Sequence, residues 1–126
     1  MAGPFIYGPP DPRHVAGWEQ TTFNRFVNRT CAILGIEPAM VFAPVRPYRI
    51  VKTRQWLMTV AKLELEWTHH QVGSFFKRDH STVVHAVKEI RNGIDAGNHG
   101  QFFDNCGRAC AQAFEEIYQQ QFQNLG

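Results

Sequence analysis

The sequence predicts an all-α fold in which short helices pack around one core. Apolar residues recur three or four positions apart in several segments, which is the spacing of a helix with one buried face. Almost no segment shows the strict alternation of apolar and polar residues that is typical of a half-buried strand. With 126 residues, 44% of them hydrophobic, the chain can bury one modest core. We therefore expect one domain with tails.

The first elements are an irregular arm and one amphipathic helix. Residues 1–17 are rich in proline (Pro4, Pro9, Pro10 and Pro12), so they predict an arm without regular structure. From about Trp18 a helix is predicted, with Gly35 at the position where it would stop. Its apolar positions are Phe23, Phe26, Val27, Cys31 and Leu34. A short piece, Pro38 to Phe42, follows.

The middle of the chain predicts a basic loop and a central helix. In PVRPYR two prolines flank an arginine, which disfavours a helix and favours a loop. From Thr53 to Glu66 the chain is apolar on nearly all sides, as expected for a helix that is surrounded by others.

Two short helices with a tight turn are predicted next. Thr68 and Gln71 match the capping box, so a helix should start there and run to about Phe76. Lys77 and Arg78 would form the turn, and Asp79 would cap a second helix that has Gly93 near its end. The apolar positions of this second helix are Val83, Ala86, Val87, Ile90 and Ile94. Together these elements form a helix-turn-helix.

The neighbours Asp79, His80 and Ser81 are the residue types of a hydrolase triad, but their positions exclude that chemistry. Successive residues at a helix start point about 100° apart, so the three cannot hydrogen-bond in series. We predict no catalytic residue and no enzymatic activity. A plain surface cap is the simplest alternative. The gathering of donors at one helix end favours a nucleic-acid contact, because that end of a helix-turn-helix meets base edges.

Charge and cysteine content limit the possible partners, the location and the metal chemistry of the protein. The segment from Arg46 to Arg91 is basic, which is typical of a phosphate-binding surface, although a solvated face is the alternative. No apolar run approaches the roughly 20 residues of a membrane span, and the start does not resemble a signal peptide, so a cytoplasmic, nucleoid-associated protein without membrane contact is expected. Cys31, Cys106 and Cys110 are an odd number of unclustered cysteines, which argues against a disulfide framework. Cys106 and Cys110 could share a helix face with His99 nearby, but no fourth ligand stands at the spacing of a known metal site. We therefore predict no disulfide framework, metal or cofactor.

The segment TRQWLMTVAKLELEWTHHQVGSFFKRDHSTVVHAVKEI resembles the C-terminal DNA-binding domain of the bacterial replication initiator DnaA. The most specific match is RDHSTVVHA, Arg78 to Ala86, and the resemblance covers roughly residues 22–95. It implies an all-α, Trp-repressor-like helix-turn-helix. It also implies that residues 78–82 face the major groove and its phosphates, that Lys52 in the basic loop enters the minor groove, and that Arg54 contacts the DNA backbone.

Three departures from that family suggest a changed DNA preference. Ser81 stands where threonine is usual, so a methyl group that can touch a thymine methyl is missing. Lys77 alone forms a turn that commonly has two residues, often glycines. Lys52 replaces an arginine, which is the more weakly hydrated cation for a narrow minor groove. The sequence also lacks a GxxxxGK[ST] motif, so the nucleotide-driven activity of an initiator is not expected.

The predicted organisation has three parts: an arm (1–17), a DnaA-like helix-turn-helix domain (18–95), and a glycine-rich connector with an amphipathic helix (96–126). The apolar stripe of this last helix either packs on the domain's own core or forms a homodimer or partner surface. The stripe consists of Ala109, Cys110, Ala113, Phe114, Ile117, Tyr118 and Phe122.

The favoured function is a sequence-specific regulator of transcription that binds double-stranded DNA. An activator that recruits RNA polymerase or another regulatory protein is preferred, by resemblance to freestanding phage-derived and gene-transfer-agent activators. The alternative is an interaction module, or a replication-control protein that binds polymerase or replication proteins or competes for initiator sites. The predicted DNA-binding residues are Arg46, Arg49, Lys52, Arg54, Thr68, His69, His70, Lys77, Arg78, Asp79, His80, Ser81, Thr82 and His85.

Overall fold

The computed structural model describes residues 19–97 and 100–125, with side chains up to Gln120. The predicted arm, His99 and the Phe122 side chain lie outside the described residues. Within the described ranges all regular secondary structure is helical, which confirms the all-α prediction. The helices are α1 (Gln20–Leu34), α2 (Pro38–Phe42), α3 (Tyr48–Leu63), α4 (His69–Phe76), α5 (His80–Ala96) and α6 (Gln101–Leu125). No helix in these ranges has the length and apolar character needed to cross a membrane.

Helix α3 is the centre of the fold, as its apolar composition predicts. It packs against α2, α4, α5 and α6. Its buried side chains include Trp56, Leu57, Met58, Val60 and Ala61. A helix covered on several sides can be apolar all round, because every face then buries surface away from water.

The start of α3 differs from the prediction. The helix begins at Tyr48, five residues before Thr53, so Arg49 and Lys52 lie on a helix and not in the basic loop. Pro47 directly precedes the helix with φ −56°, and the N–H of Val51 donates to its carbonyl at 3.0 Å. Proline is compatible with a helix start because the first N–H groups have no partner inside the helix. The PVRPYR motif therefore contains a helix start as well as a loop.

The last helix, α6, belongs to the core. Its apolar stripe is packed mainly against α1 and α3, and its buried members are Ala109, Cys110, Ala113, Phe114 and Ile117. The Phe114 ring meets the Phe26 ring edge-on, with 6.2 Å between centroids. At the margin, Arg29 pairs with Glu116 at 2.6 Å. The buried stripe side chains are therefore not an exposed homodimer surface, because they already fill the space between α1 and α6.

The carboxyl end of α3 contains a buried glutamate. Glu64 is 1% exposed, and its Oε1 has no hydrogen-bond partner among the described residues. Burial raises the pKa of this carboxyl to about 8, because a charged carboxylate is disfavoured away from water. Glu64 is therefore largely protonated at neutral pH.

Candidate nucleic-acid interface

The first helix of the predicted helix-turn-helix begins with a capping box. The backbone N–H of Gln71 donates to the Thr68 hydroxyl at 3.0 Å, and the backbone N–H of Thr68 donates to Gln71 Oε1 at 2.8 Å. Both bonds satisfy N–H groups that a helix start leaves without a partner. The prediction of α4 from these two residues is confirmed.

The turn between α4 and α5 depends on two backbone features. Lys77 takes the left-handed conformation (φ 57°, ψ 46°), and the N–H of Arg78 donates to the carbonyl of Gly73 at 2.8 Å. A Cβ on Gly73 would lie 2.5 Å from the carbonyl oxygen of Arg78. Glycine thus permits the close approach of α4 to the start of α5. Gly73 is not among the residues predicted from the sequence, although an isolated glycine inside a helical pattern is a signal of close backbone packing.

Asp79 caps α5 as predicted. Its carboxylate accepts a hydrogen bond from the backbone N–H of Ser81 at 3.3 Å and another from the Ser81 hydroxyl. The Ser81 hydroxyl, then the Ser81 backbone N–H, lower the pKa of Asp79 by stabilising its charged form. In a hydrolase triad the serine would instead donate to the histidine, so the bonding is that of a cap.

Histidines bring the first turns of α4 and α5 together. The rings of His70 and His80 are stacked, with centroids 4.4 Å apart and planes inclined by 29°. His69 is half-buried beside them, and its pKa is lowered first by burial and then by the charges of Lys62, His80 and His70. The structure therefore joins these predicted residues into one surface with the start of α5.

One side of α5 faces solvent from its first turn to its last third. Exposed residues follow each other three or four positions apart, which places them on one side of the helix. We call this side the outer face of α5, and it consists of Ser81, Val84, His85, Lys88 and Arg91. Thr82 and Lys77 are exposed beside it. Val84, Lys88 and Arg91 are not among the site residues predicted from the sequence.

Arg54 is used inside the fold. It is 8% exposed, and its guanidinium donates to the carbonyls of Val41 (2.7 Å), Ala43 (2.9 Å) and Val45 (3.3 Å). Burial, followed by the nearby charge of Arg78, lowers its pKa to about 10. These donors hold the loop between α2 and α3, and the expectation that Arg54 contacts a DNA phosphate stays a prediction that its burial disfavours.

Arg78 connects that loop to the turn of the helix-turn-helix. Its Nη2 donates to the carbonyl of Ala43 at 2.8 Å, and its Nη1 donates to the carbonyl of Phe76 at 3.3 Å. The guanidinium is half-buried. Arg46 lies three residues beyond Ala43 in the same loop and is exposed. The contact thus holds a loop with an exposed cation against the start of α5.

The two basic residues in the first turns of α3 contact neighbouring side chains. Lys52 donates to Gln55 Oε1 at 2.9 Å, and its Nζ lies 5.9 Å from the Tyr48 ring centroid. Arg49 donates to the carbonyl of Leu34 at 3.1 Å and lies over the Phe102 ring at 4.9 Å. These contacts direct Arg49 toward the end of α1 and the start of α6. The structure therefore does not bring Arg49 to the surface formed by His69, His70 and His80.

The cysteines are core residues. Cys31, Cys106 and Cys110 are buried as free thiols, and burial raises the thiol pKa of Cys31 and of Cys106 to about 11. Over residues 19–97 and 100–120, no three side chains of the His, Cys, Asp or Glu types gather as metal ligands would.

Comparison with known families identifies the domain that contains these helices. The family model described as the bacterial DnaA protein helix-turn-helix matches residues 24–90, a span of more than half of the 126 residues. The chain belongs to the DnaA helix-turn-helix family. The resemblance predicted from RDHSTVVHA is confirmed. A DnaA-type helix-turn-helix supports double-stranded DNA as the partner and a non-enzymatic role.

Curated relatives match the same DnaA-type region. The chromosomal replication initiator protein DnaA of Ralstonia nicotianae is 36% identical over 66 residues, covering 51% of this chain and 13% of the relative. The protein of the same name from Bacteroides fragilis is 28% identical over 71 residues, covering 56% of this chain and 15% of the relative. The match thus spans only a small fraction of the length of these initiators.

Proposed function

We propose that this protein is a sequence-specific DNA-binding regulator of transcription. The observation that carries the proposal is the first turn of α5, where His80, Ser81 and Thr82 are exposed to solvent. The Asp79 cap and the Arg78–Ala43 contact hold this end of the helix in place. Base edges are read by side chains at this end of a recognition helix. A helix end already held by hydrogen bonds favours tight binding, because less ordering is needed when DNA binds.

Phosphate contacts would come from the residues that surround this turn. Lys77, His70 and Lys88 are exposed around α5, and its N-terminal N–H groups favour an anion. Arg46 is the exposed cation of the α2–α3 loop, so we assign it the minor-groove contact that the sequence analysis gave to Lys52. Lys52 is partly buried, so we assign it no more than a phosphate contact.

An activating role is the preferred form of regulation. A regulator that only occupies its DNA site can block a promoter. An activator must also present a surface to RNA polymerase or another regulatory protein. The apolar stripe of α6 is buried, so we assign such a contact to the polar side of that helix. Its exposed residues are Gln112, Glu115, Gln119 and Gln120.

A second candidate is replication control by competition for initiator sites. The observation that favours it is the 36% identity with an initiator over 66 residues, in the region that contains the helix-turn-helix. Retained Arg78, Asp79 and His80 suggest an overlapping DNA preference. At Ser81 the DNA preference of this chain would differ from that of the initiators.

Selection from random duplexes tests DNA reading directly. We expect enrichment of one motif, bound with an affinity that falls steeply between 50 and 200 mM salt, as phosphate contacts require. His80→Ala should relax the preference at particular base pairs by roughly 1–3 kcal/mol. Equal affinity for all duplexes would reject sequence-specific binding. A promoter reporter carrying the motif then tests regulation, and unchanged output despite occupancy would reject the regulator and leave competition for initiator sites.

A further inference from the structure

Val84 is an apolar side chain on the face of α5 that points away from the core. It is 45% exposed, whereas its neighbours Val83 and Val87 are 0% and 7% exposed. The buried side of α5 is complete without it, since Val83, Ala86, Val87 and Ile90 already pack against the other helices. The contribution of Val84 to the folded core is therefore small.

Its position relative to the first turn defines what it can touch. Val84 follows Ser81 by three residues and His80 by four, so it lies one turn further along the same side of the helix. Helical side chains lean toward the N-terminus, which brings Val84 closer to Ser81. The rise from Ser81 to Val84 is about 4.5 Å, comparable to the roughly 3.4 Å between stacked base pairs. A helix whose first turn meets base edges therefore brings Val84 to a neighbouring pair.

The chemistry of valine then limits the base it can select. Its side chain has no donor or acceptor, so it cannot pair with the polar groups of guanine, adenine or cytosine. The apolar group that a standard base pair presents in the major groove is the C5 methyl of thymine. Ser81 lacks a methyl group, and the single methyl group of Thr82 shares its Cβ with a hydroxyl. Val84 is the exposed side chain nearest in sequence to these residues that is aliphatic throughout.

We infer that Val84 is a specificity-determining residue that selects thymine through its C5 methyl group, at a base pair next to the one read by His80. This inference rests on the proposed DNA-reading function and adds a base identity to it. Removing one methyl–methyl contact should weaken binding about fourfold, which corresponds to about 0.8 kcal/mol per buried methyl group.

The experiment removes the C5 methyl group of thymine and, separately, the two γ methyl groups of Val84. Each thymine of the selected duplex is replaced by deoxyuracil, which lacks only the C5 methyl, and affinities are measured for the wild-type chain and for Val84→Ala. The wild type should lose about fourfold at one position, adjacent to the pair where His80→Ala relaxes the preference. Val84→Ala should bind the thymine duplex about fourfold more weakly and should not respond to uracil at that position.

Two controls make the result specific. Asn92→Ala changes an exposed residue two turns further along α5 and should keep the full uracil penalty. Cytosine at the critical position should bind weakly to the wild type, and 5-methylcytosine should restore part of the affinity for the wild type but not for Val84→Ala. Thermal melting of Val84→Ala should match the wild type, because the residue is outside the core.

The outcomes separate this inference from the function on which it rests. If selection enriches no motif, the proposed function fails. If a motif is enriched but uracil has no effect at any position, or has the same effect on Val84→Ala, Val84 is an ordinary exposed valine and the inference is overturned. A motif with no thymine beside the His80-dependent pair overturns it as well.

Discussion

The guanidinium groups of Arg54 and Arg78 donate to the same backbone oxygen, the carbonyl of Ala43, at 2.9 and 2.8 Å. One arginine comes from the central helix and the other from the turn before α5. The shared acceptor fixes the α2–α3 loop against the proposed recognition helix. Two like charges are tolerated there because carbonyl oxygens satisfy them.

Replacement of Arg54 should act on stability and not on phosphate binding. Arg54→Ala leaves the carbonyls of Val41, Ala43 and Val45 without this donor, so we expect a loss of at least about 2 kcal/mol in the free energy of unfolding. Urea denaturation measures it. Arg54→Lys should recover little, because a lysine cannot reproduce the guanidinium fork. An unchanged stability with a shallower salt dependence of DNA binding would instead restore the phosphate-contact role.

Replacement of Arg46 should give the opposite pattern. Arg46 is exposed, so Arg46→Ala should change stability by less than about 0.5 kcal/mol. It should also reduce the slope of log affinity against log salt by up to about 0.9, the value for one neutralised phosphate, because a cation in the minor groove also displaces counterions from the DNA. Arg108→Ala on α6 serves as the charge-matched control and should leave the slope unchanged. Equal slopes for both variants and the wild type would remove Arg46 from the interface.

The buried Glu64 predicts that stability falls as pH rises. Its folded-state pKa, about 8, lies above the ordinary value of 4.5, so the folded state binds more protons between these values. The free energy of unfolding should therefore decrease by about 1.4 kcal/mol per pH unit inside this window and level off above pH 8. Below about pH 4.5 both states are protonated, and Glu64 has no further effect.

Glu64→Gln tests the origin of this pH dependence. Glutamine resembles the protonated acid in shape, so the variant should match the wild type near pH 5 and exceed it in stability at pH 8. Glu115→Gln, at an exposed position on α6, is the matched control. Parallel stability curves for the wild type and Glu64→Gln from pH 5 to pH 8 would contradict the assignment.

Gly73→Ala should destabilise the helix-turn-helix although alanine favours helices. The added Cβ would lie 2.5 Å from the Arg78 carbonyl, and this backbone atom cannot move without displacing the start of α5. We expect a cost of about 1–3 kcal/mol, typical of overpacking. Ser74→Ala, at the next and exposed position, should be nearly neutral. If Gly73→Ala stabilises the chain, α4 and α5 are further apart than the structure indicates.

Truncation after Asp95 should abolish folding and not merely regulation. It would expose Phe26 and the other α1 side chains that α6 covers, and burial of each such side chain contributes about 1.5–3 kcal/mol. Circular dichroism and thermal melting of the truncated chain would show the loss of cooperative unfolding. A folded product that still binds DNA would show that α6 is an accessory helix.

The sequence predicted those parts of the molecule that depend on local chemistry. The capping box of Thr68 and Gln71 and the cap at Asp79 involve residues two or three apart, so their signals are complete within a few positions. The burial of Arg54 could not be read in this way, because its three acceptors come from the α2–α3 region and arginine is usually exposed. Val84 could not be predicted as a site residue, because the sequence alone does not show which side of α5 is exposed to solvent.

The packing of α6 on α1 also determines when the protein can become functional during its synthesis. Arg25 contacts Gln120 across 95 positions of the chain, and Arg29 contacts Glu116 across 87. The apolar face of α1 therefore leaves the ribosome well before α6, the helix that covers it, has been released. Nascent chains should remain unable to occupy their sites until α6 has left the exit tunnel, so prematurely terminated products would not compete with the finished protein for DNA.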